Sequence, residues 1–226
     1  MADLASFYRK YSTENRDLTI HGRQFNFVVP KKIDPFIDFE NIVRGFPLWA
    51  KIWEPSWILA EHVAKTPPFQ LNKILEIGSG IGVVGIVAAS FGHDVTMTEY
   101  DENALQFASA NAEINHCPEV KICRLDWHQP DLEDRFDTII GSEVMFHERD
   151  CKPLLNLFRI YLRPNGRVIL ASGVRQGVLD ILNRMRRVFD VQINKYSIRC
   201  EDTRMPAVLC HMSPRDPFSQ LVGRRP

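Results

Sequence analysis

The chain has 226 residues, 45% hydrophobic and 25% charged, a balance that fits one sizeable folded core and excludes a disordered chain. Lysine plus arginine and aspartate plus glutamate each number 28, so the formal net charge is zero and sequence-independent binding to nucleic acid or to an anionic membrane gets no support. No apolar run spans a bilayer, the first residues lack a signal peptide's apolar core, and the five cysteines form no C-x-x-C pair, so free thiols in the cytoplasm and no metal site are expected.

Leu4, Phe7, Tyr8 and Tyr11 predict a short amphipathic helix. Leu18 and Ile20 alternate before His21-Gly22, and Phe25, Phe27 and Val29 alternate after it, which predicts a β-hairpin ending at Pro30. Trp49, Trp53 and Trp57 follow at a spacing of four; Pro55 suits the first turn of a helix over 54–65, so Trp49 precedes that helix and Trp57 lies within it. An aromatic stripe at this spacing reads first as core, Trp57 above all. From Lys73 onward strands and helices alternate. NKILEIG is a strand, GVVGIVAASFG a helix, HDVTMTEYD a strand, and DENALQFASANAEIN a helix with Asp101 as its N-cap. VKICRLDW and FDTIIGSEVMF read as strands, PLLNLFRIYL as a helix, GRVILASG as a strand and GVLDILNRMRRVF as a helix. FDVQINKYSI and AVLCHMS give the last two strands. Such alternation implies a mostly parallel sheet with helices on both faces. We expect one domain over 1–226: an N-terminal extension over 1–47, a core over 48–212 and a frayed tail over 213–226.

LEIGSGIGVVG, residues 75–85, carries two glycine signatures. Gly80, Gly82 and Gly85 spell the dinucleotide fingerprint; Glu76 with Gly78, Gly80 and Gly82 spells E-x-G-x-G-x-G. Either ligand would use a glycine turn at the end of the first core strand, and either would use an acid such as Glu99 for ribose hydroxyls. Three features separate them. Glu76 puts a carboxylate where a dinucleotide strand is ordinarily apolar, and it suits a ligand carrying an ammonium and a sulfonium. Asp126-Trp127 ends the third strand with an acceptor for an adenine amino group and a ring to cover the base. Leu162-x-Pro164-x-Gly166 forms a turn between helix and strand. Gly85 reads as a packing glycine in the following helix.

On these residues the chain resembles the class I, seven-β-strand methyltransferases that use S-adenosylmethionine (SAM). The resemblance is strong over 73–172. It implies a Rossmann-like three-layer α/β/α sandwich whose seven-stranded sheet is parallel except for an antiparallel last strand. It sets Gly78, Ser79, Gly80 and Gly82 against the methionine portion of SAM and Glu99 on the ribose. Asp126, Trp127 and Tyr100 frame the adenine, and Ser142 and Glu143 lie near the transferred methyl. Trp53 and Glu76 complete the cofactor contacts, with S-adenosylhomocysteine (SAH) as product. FPLWAKIWEPSWILAEHV is similar to the tryptophan-containing lead-in of protein lysine methyltransferases, including those directed at electron-transfer flavoprotein. That subfamily carries D-x-x-Y after the fourth strand, where this chain has Glu143-Val144-Met145-Phe146. Glutamate keeps the charge with a longer reach, and phenylalanine keeps the ring without its hydroxyl.

The resemblance implies Glu143 and Phe146 as catalytic residues acting on a protein lysine. Glu143 would orient the amine, and Phe146, Trp49 or Trp53 would meet its cation face-on. A small-molecule N- or O-acceptor and a non-catalytic partner-binding role are the alternatives. A nicotinamide-dependent reductase lacks support, as does an RNA substrate, since Arg184-Met185-Arg186-Arg187 reads as the wet face of a helix. His147, in the polar HERD run, reads as a solvated loop histidine. The sequence leaves the oligomeric state open.

Overall fold

The computed structural model of the chain describes residues 2–40, 46–146, 148–200, 203–216 and 218–222. Helix α1 (Leu4–Lys10) begins at Asp3, whose side chain accepts from Ser6 N. Strands β1 (Thr13–Ile20) and β2 (Arg23–Pro30) form an antiparallel hairpin. Its two-residue turn has positive φ at His21 (47°) and Gly22 (77°), the mirror-image turn that matches strand twist. Helix α2 (Pro55–Lys65) takes its proline in the first turn, as the sequence predicts. A single turn, α3 (Pro68–Leu71), leads into the sheet.

The sheet contains β3 (Lys73–Ile77), β4 (Asp94–Glu99), β5 (Lys121–Arg124), β6 (Phe136–Ser142), β7 (Leu162–Gly173), β8 (Phe189–Cys200) and β9 (Thr203–Pro214). Its order is β5-β4-β3-β6-β7-β9-β8. Strands β3 to β7 pair in parallel, and β9 runs antiparallel between β7 and β8. The expected three-layer sandwich with an antiparallel last strand is therefore the observed fold.

Period-two alternation builds the layers. Ile74, Ile140, Ile169 and Leu209 face one core, with α2, the hairpin, α4 (Val83–Ser90) and α5 (Glu102–Ile114). Their neighbours Leu75, Ile139, Leu170 and Cys210 face the other, with α6 (Cys151–Tyr161) and α7 (Gln176–Met185). Helix α4 is apolar along most of its length because α2 covers the side turned away from the sheet. Asp101 caps α5, accepting from Asn103 N and Ala104 N, as expected.

The hairpin is sewn to α5 by two amides. Asn111 Oδ1 accepts Val28 N at 2.7 Å, and its Nδ2 donates to Val28 O at 3.1 Å and to Ile81 O at 3.0 Å. One turn on, Asn115 does the same for Asn26 N and O, at 3.0 and 2.7 Å. Two side chains at i and i+4 thus imitate a neighbouring strand and satisfy the outer edge of β2.

Several expectations need correction. Trp57 is 37% exposed, not core, because its face of α2 looks past the hairpin to solvent. The strand expected over VKICRLDW stops at Arg124. FDTIIGSEVMF stops at Ser142, where Glu143 turns to positive φ and breaks the pairing. Strand β7 starts at Leu162, four residues early, because Leu162 pairs Phe136 across a bulge. Helix α7 ends at Met185 and Phe189 already belongs to β8. Within the described part of the tail, β9 runs to Pro214, and the short helix α8 (Phe218–Leu221) buries Phe218 5.0 Å from the Phe189 ring, with Val222 also buried. Among the described residues no helix is long and apolar enough to cross a membrane.

Candidate functional site

Parallel order reverses at β3, whose neighbours are β4 on one side and β6 on the other. Loops leaving the carboxyl ends of β3 and β6 therefore meet at a crevice. Gly78, Gly80 and Gly82 turn the first loop with φ of 62°, 54° and 94°, values that favour glycine. Ser79 N donates to Thr98 O and Gly82 N to Ser79 O, each at 2.9 Å, which closes the turn.

Positive φ favours glycine throughout the turn, and close neighbours add to it at Gly78 and Gly82. A Cβ on Gly82 would stand 2.6 Å from Met97 Cε, and one on Gly78 3.1 Å from Val144 Cγ1 and 3.6 Å from Trp127 Cζ2. A Cβ on Gly80 would sit 3.5 Å from Trp49 O, so the residue lying over the turn is Trp49, by its backbone. The Trp49 ring itself packs on Phe36 and Phe107, at 5.0 and 5.6 Å. Gly85 is the packing glycine expected, since a Cβ there would collide with the Glu76 carboxylate and Met97.

Glu76 lies beneath the turn, buried, and its carboxyl is pushed up to about 8, chiefly by burial and partly offset by the Gly85 N–H. Glu99 ends β4 in line with the turn. Its Oε2 accepts Gly80 N at 2.9 Å and its Oε1 accepts Tyr100 N at 2.6 Å and Asp101 N at 3.3 Å. Burial raises this carboxyl too, against the pull of those three donors. Tyr100 is exposed, with the Arg124 guanidinium 4.7 Å over its ring. Asp126 turns the loop after β5 by accepting His128 N at 2.8 Å, and Trp127 packs against the second core beside Gly78.

The loop after β6 carries Ser142, Glu143 and Phe146. Glu143 is buried. Its Oε1 accepts Gly173 N at 2.5 Å and its Oε2 accepts Arg175 Nη2 at 2.6 Å. The Phe146 ring meets the Trp53 ring edge-on at 6.5 Å, and Trp53 Nε1 donates to Leu48 O at 2.7 Å. His147 lies outside the described residues. Thus Glu76, the glycine turn, Glu99, Trp127 and Ser142 gather around the ends of β3, β4 and β6, and Glu143, Phe146 and Trp53 form a second cluster beside them. Sequence reasoning missed Arg175. Its signal was available: it follows the end of β7, at the same edge of the sheet as the other ligand-facing loops.

Polar groups without partners collect here. Among the described residues, seven buried side-chain nitrogens or oxygens lack a hydrogen-bond partner, and five of them are Trp49 Nε1, Glu76 Oε2, Ser79 Oγ, Ser142 Oγ and Arg175 Nε. Each such group costs about 1–3 kcal/mol if left buried and unpaired, so this end of the sheet fits a ligand rich in polar atoms. Concavities of about 630 and 580 Å3 lie elsewhere, the first at the opposite ends of the strands around Lys73 and Arg163, the second between the hairpin and α2.

A sequence profile described as lysine methyltransferase matches residues 40–185. The chain is 29% identical over 177 residues to EEF1A lysine methyltransferase 3 of Mus musculus, covering 71% of this chain and 76% of that protein. It is 33% identical over 159 residues to protein N-lysine methyltransferase METTL21A of Mus musculus, covering 66% and 72%. In fold it matches P. horikoshii TYW2, solved in complex with MeSAdo, with a TM-score of 0.60 at 13% identity over 90% of this chain and 72% of that one.

Proposed function

Because this chain belongs to the lysine methyltransferase family and is a SAM-dependent methyltransferase, we propose that its acceptor is a lysine side chain of a protein. The observation that carries this reading is a glycine turn at the end of β3 beside a buried acid and the Phe146 ring after β6, its neighbour in the sheet, with the Trp53 ring from the segment before α2 edge-on to Phe146. In this reading Gly78, Ser79, Gly80 and Gly82 hold the methionine part of SAM over Glu76, and Glu99 takes the ribose hydroxyls. Asp126, Trp127 and Tyr100 hold the adenine, while Ser142 and Trp53 close the site near the methyl. Bound there, SAM supplies a methyl on a sulfonium, a leaving group that needs no protonation.

The chain's own work is then alignment and desolvation. A lysine amine must present its lone pair, so it has to shed a proton before the nitrogen–carbon bond forms as the sulfur–carbon bond breaks. Burial beside Phe146 and Trp53 disfavours the charged amine and promotes loss of that proton to bulk water before the amine is enclosed. Glu143 orients the nitrogen and balances the positive charge it carries after transfer. A cytoplasmic protein partner accords with Cys117, Cys123, Cys151 and Cys210 being free thiols.

Calorimetric titration with SAM, SAH and NAD tests the cofactor half. SAM and SAH should bind, and Glu99→Ala should lose both. Binding of NAD alone overturns the reading. Labelled SAM incubated with cell lysate tests the acceptor half: hydrolysed products should contain methyl-lysine. Glu143→Gln should lower turnover on that substrate by about tenfold or more while SAM affinity holds.

A further inference from the structure

Glu143 and Phe146, the pair set around the acceptor above, already hold a cation. Arg175 stands between them. Its Nη2 donates to Glu143 Oε2 at 2.6 Å, and its guanidinium carbon lies 4.2 Å from the Phe146 ring centroid. The other Glu143 oxygen is taken by Gly173 N and, at 3.4 Å, by Ser172 Oγ. Both oxygens are engaged, and the side chain is 6% exposed against 34% for Arg175.

Backbone geometry singles out the same acid. Of the five described non-glycine residues with positive φ, four are His21, Asn72, His116 and Asn165, types that tolerate that region; the fifth is Glu143, at 55°. Strain of this kind persists where the surroundings over-determine it, and it aims the carboxylate inward.

We propose that Arg175 is a specificity-determining gate, a resident guanidinium in the acceptor's seat that a protein-borne lysine displaces and a free small amine does not. The inference rests on the lysine reading above. A carboxylate facing an aromatic ring takes up any ammonium or guanidinium that reaches it. A tethered cation competes at high effective concentration, so a free amine loses to it. A lysine carried on a docked protein brings binding energy from elsewhere and spends it on the displacement. With Arg175 gone, a buried carboxylate is left uncompensated and attracts the nearest cation.

The probe is n-butylammonium, the lysine side chain without its backbone, titrated into the full chain by calorimetry. Arg175→Ala should bind it about tenfold more tightly than the parent, or better, and Glu143→Gln added to Arg175→Ala should abolish the gain. Arg175→Lys keeps a resident cation and should stay near the parent. Should Arg175→Ala fail to fold, Arg175→Met, which keeps the stem over Phe146, carries the same expectation. With SAM present, the opened variant should release SAH on n-butylamine where the parent does not. Equal affinity in parent and opened variant, or a gain that survives Glu143→Gln, overturns the gate. Neither result bears on the lysine reading, which falls separately if lysate proteins labelled by the parent contain no methyl-lysine.

Discussion

Glu76 is 2% exposed on a strand that after Lys73 is otherwise isoleucine and leucine, and burial pushes its carboxyl up to about 8. The sign of the consequence is fixed. A carboxyl raised on folding stabilises the folded chain at low pH, and that stability drains as pH climbs from the ordinary carboxylate range to 8. Glu76→Gln removes the proton exchange. The variant should therefore gain on the parent by up to about 1.4 kcal/mol per pH unit across that window, read from urea melts at several pH values without ligand. Histidines lowered by burial, such as His62 and His211, have the opposite slope but cancel in the difference between the two proteins. Gly85→Ala should instead destabilise the fold, because the new methyl meets Glu76 and Met97 at once. We expect a loss of about 1–3 kcal/mol in thermal stability. What could be read from sequence at this scale was local. Gly78, Gly80, Gly82 and the Asp101 cap depend on backbone a few residues away. Arg175 finds Glu143 across 32 positions, and Asn111 finds Val28 across 83, separations no spacing rule spans.

Elements were legible where their pattern answered to their own neighbours. Strands β3, β4 and β6 and helix α5 fall within a few residues of expectation, because alternation and capping are written in the segment itself. Errors cluster at ends decided from outside: Leu162 joins β7 only because Phe136 is there to pair, and Trp57 is exposed because the hairpin leaves that face of α2 open. Asn111 and Asn115 show how much one element can owe to another. They supply the missing partner strand of β2, and Asn111 also reaches Ile81 O inside the glycine turn. Asn111→Leu keeps the volume but orphans the Val28 amide and two carbonyls. It should cost about 2–4 kcal/mol in chemical denaturation, while Asn115→Leu, nearer the surface, should cost less. SAM affinity should fall more in the Asn111 variant than in the Asn115 variant, since only Asn111 touches the turn.

At the scale of the molecule, two cores flank one sheet, and the site lies where loops from its middle strands converge. The strand order has a consequence for how the chain is made. Strand β9 is synthesised last of the seven yet sits between β7 and β8, so β8 has no partner in the sheet until β9 arrives. A ribosome that has released β8 has therefore produced twelve residues that must wait, and a β7 whose outer edge is bare. A chain stopped at residue 200 should expose that edge and self-associate, with light scattering at micromolar concentration above that of the full chain. The insertion of β9 is then what completes the sheet, and quality control that samples the nascent protein before it sees a sheet with its edge still open.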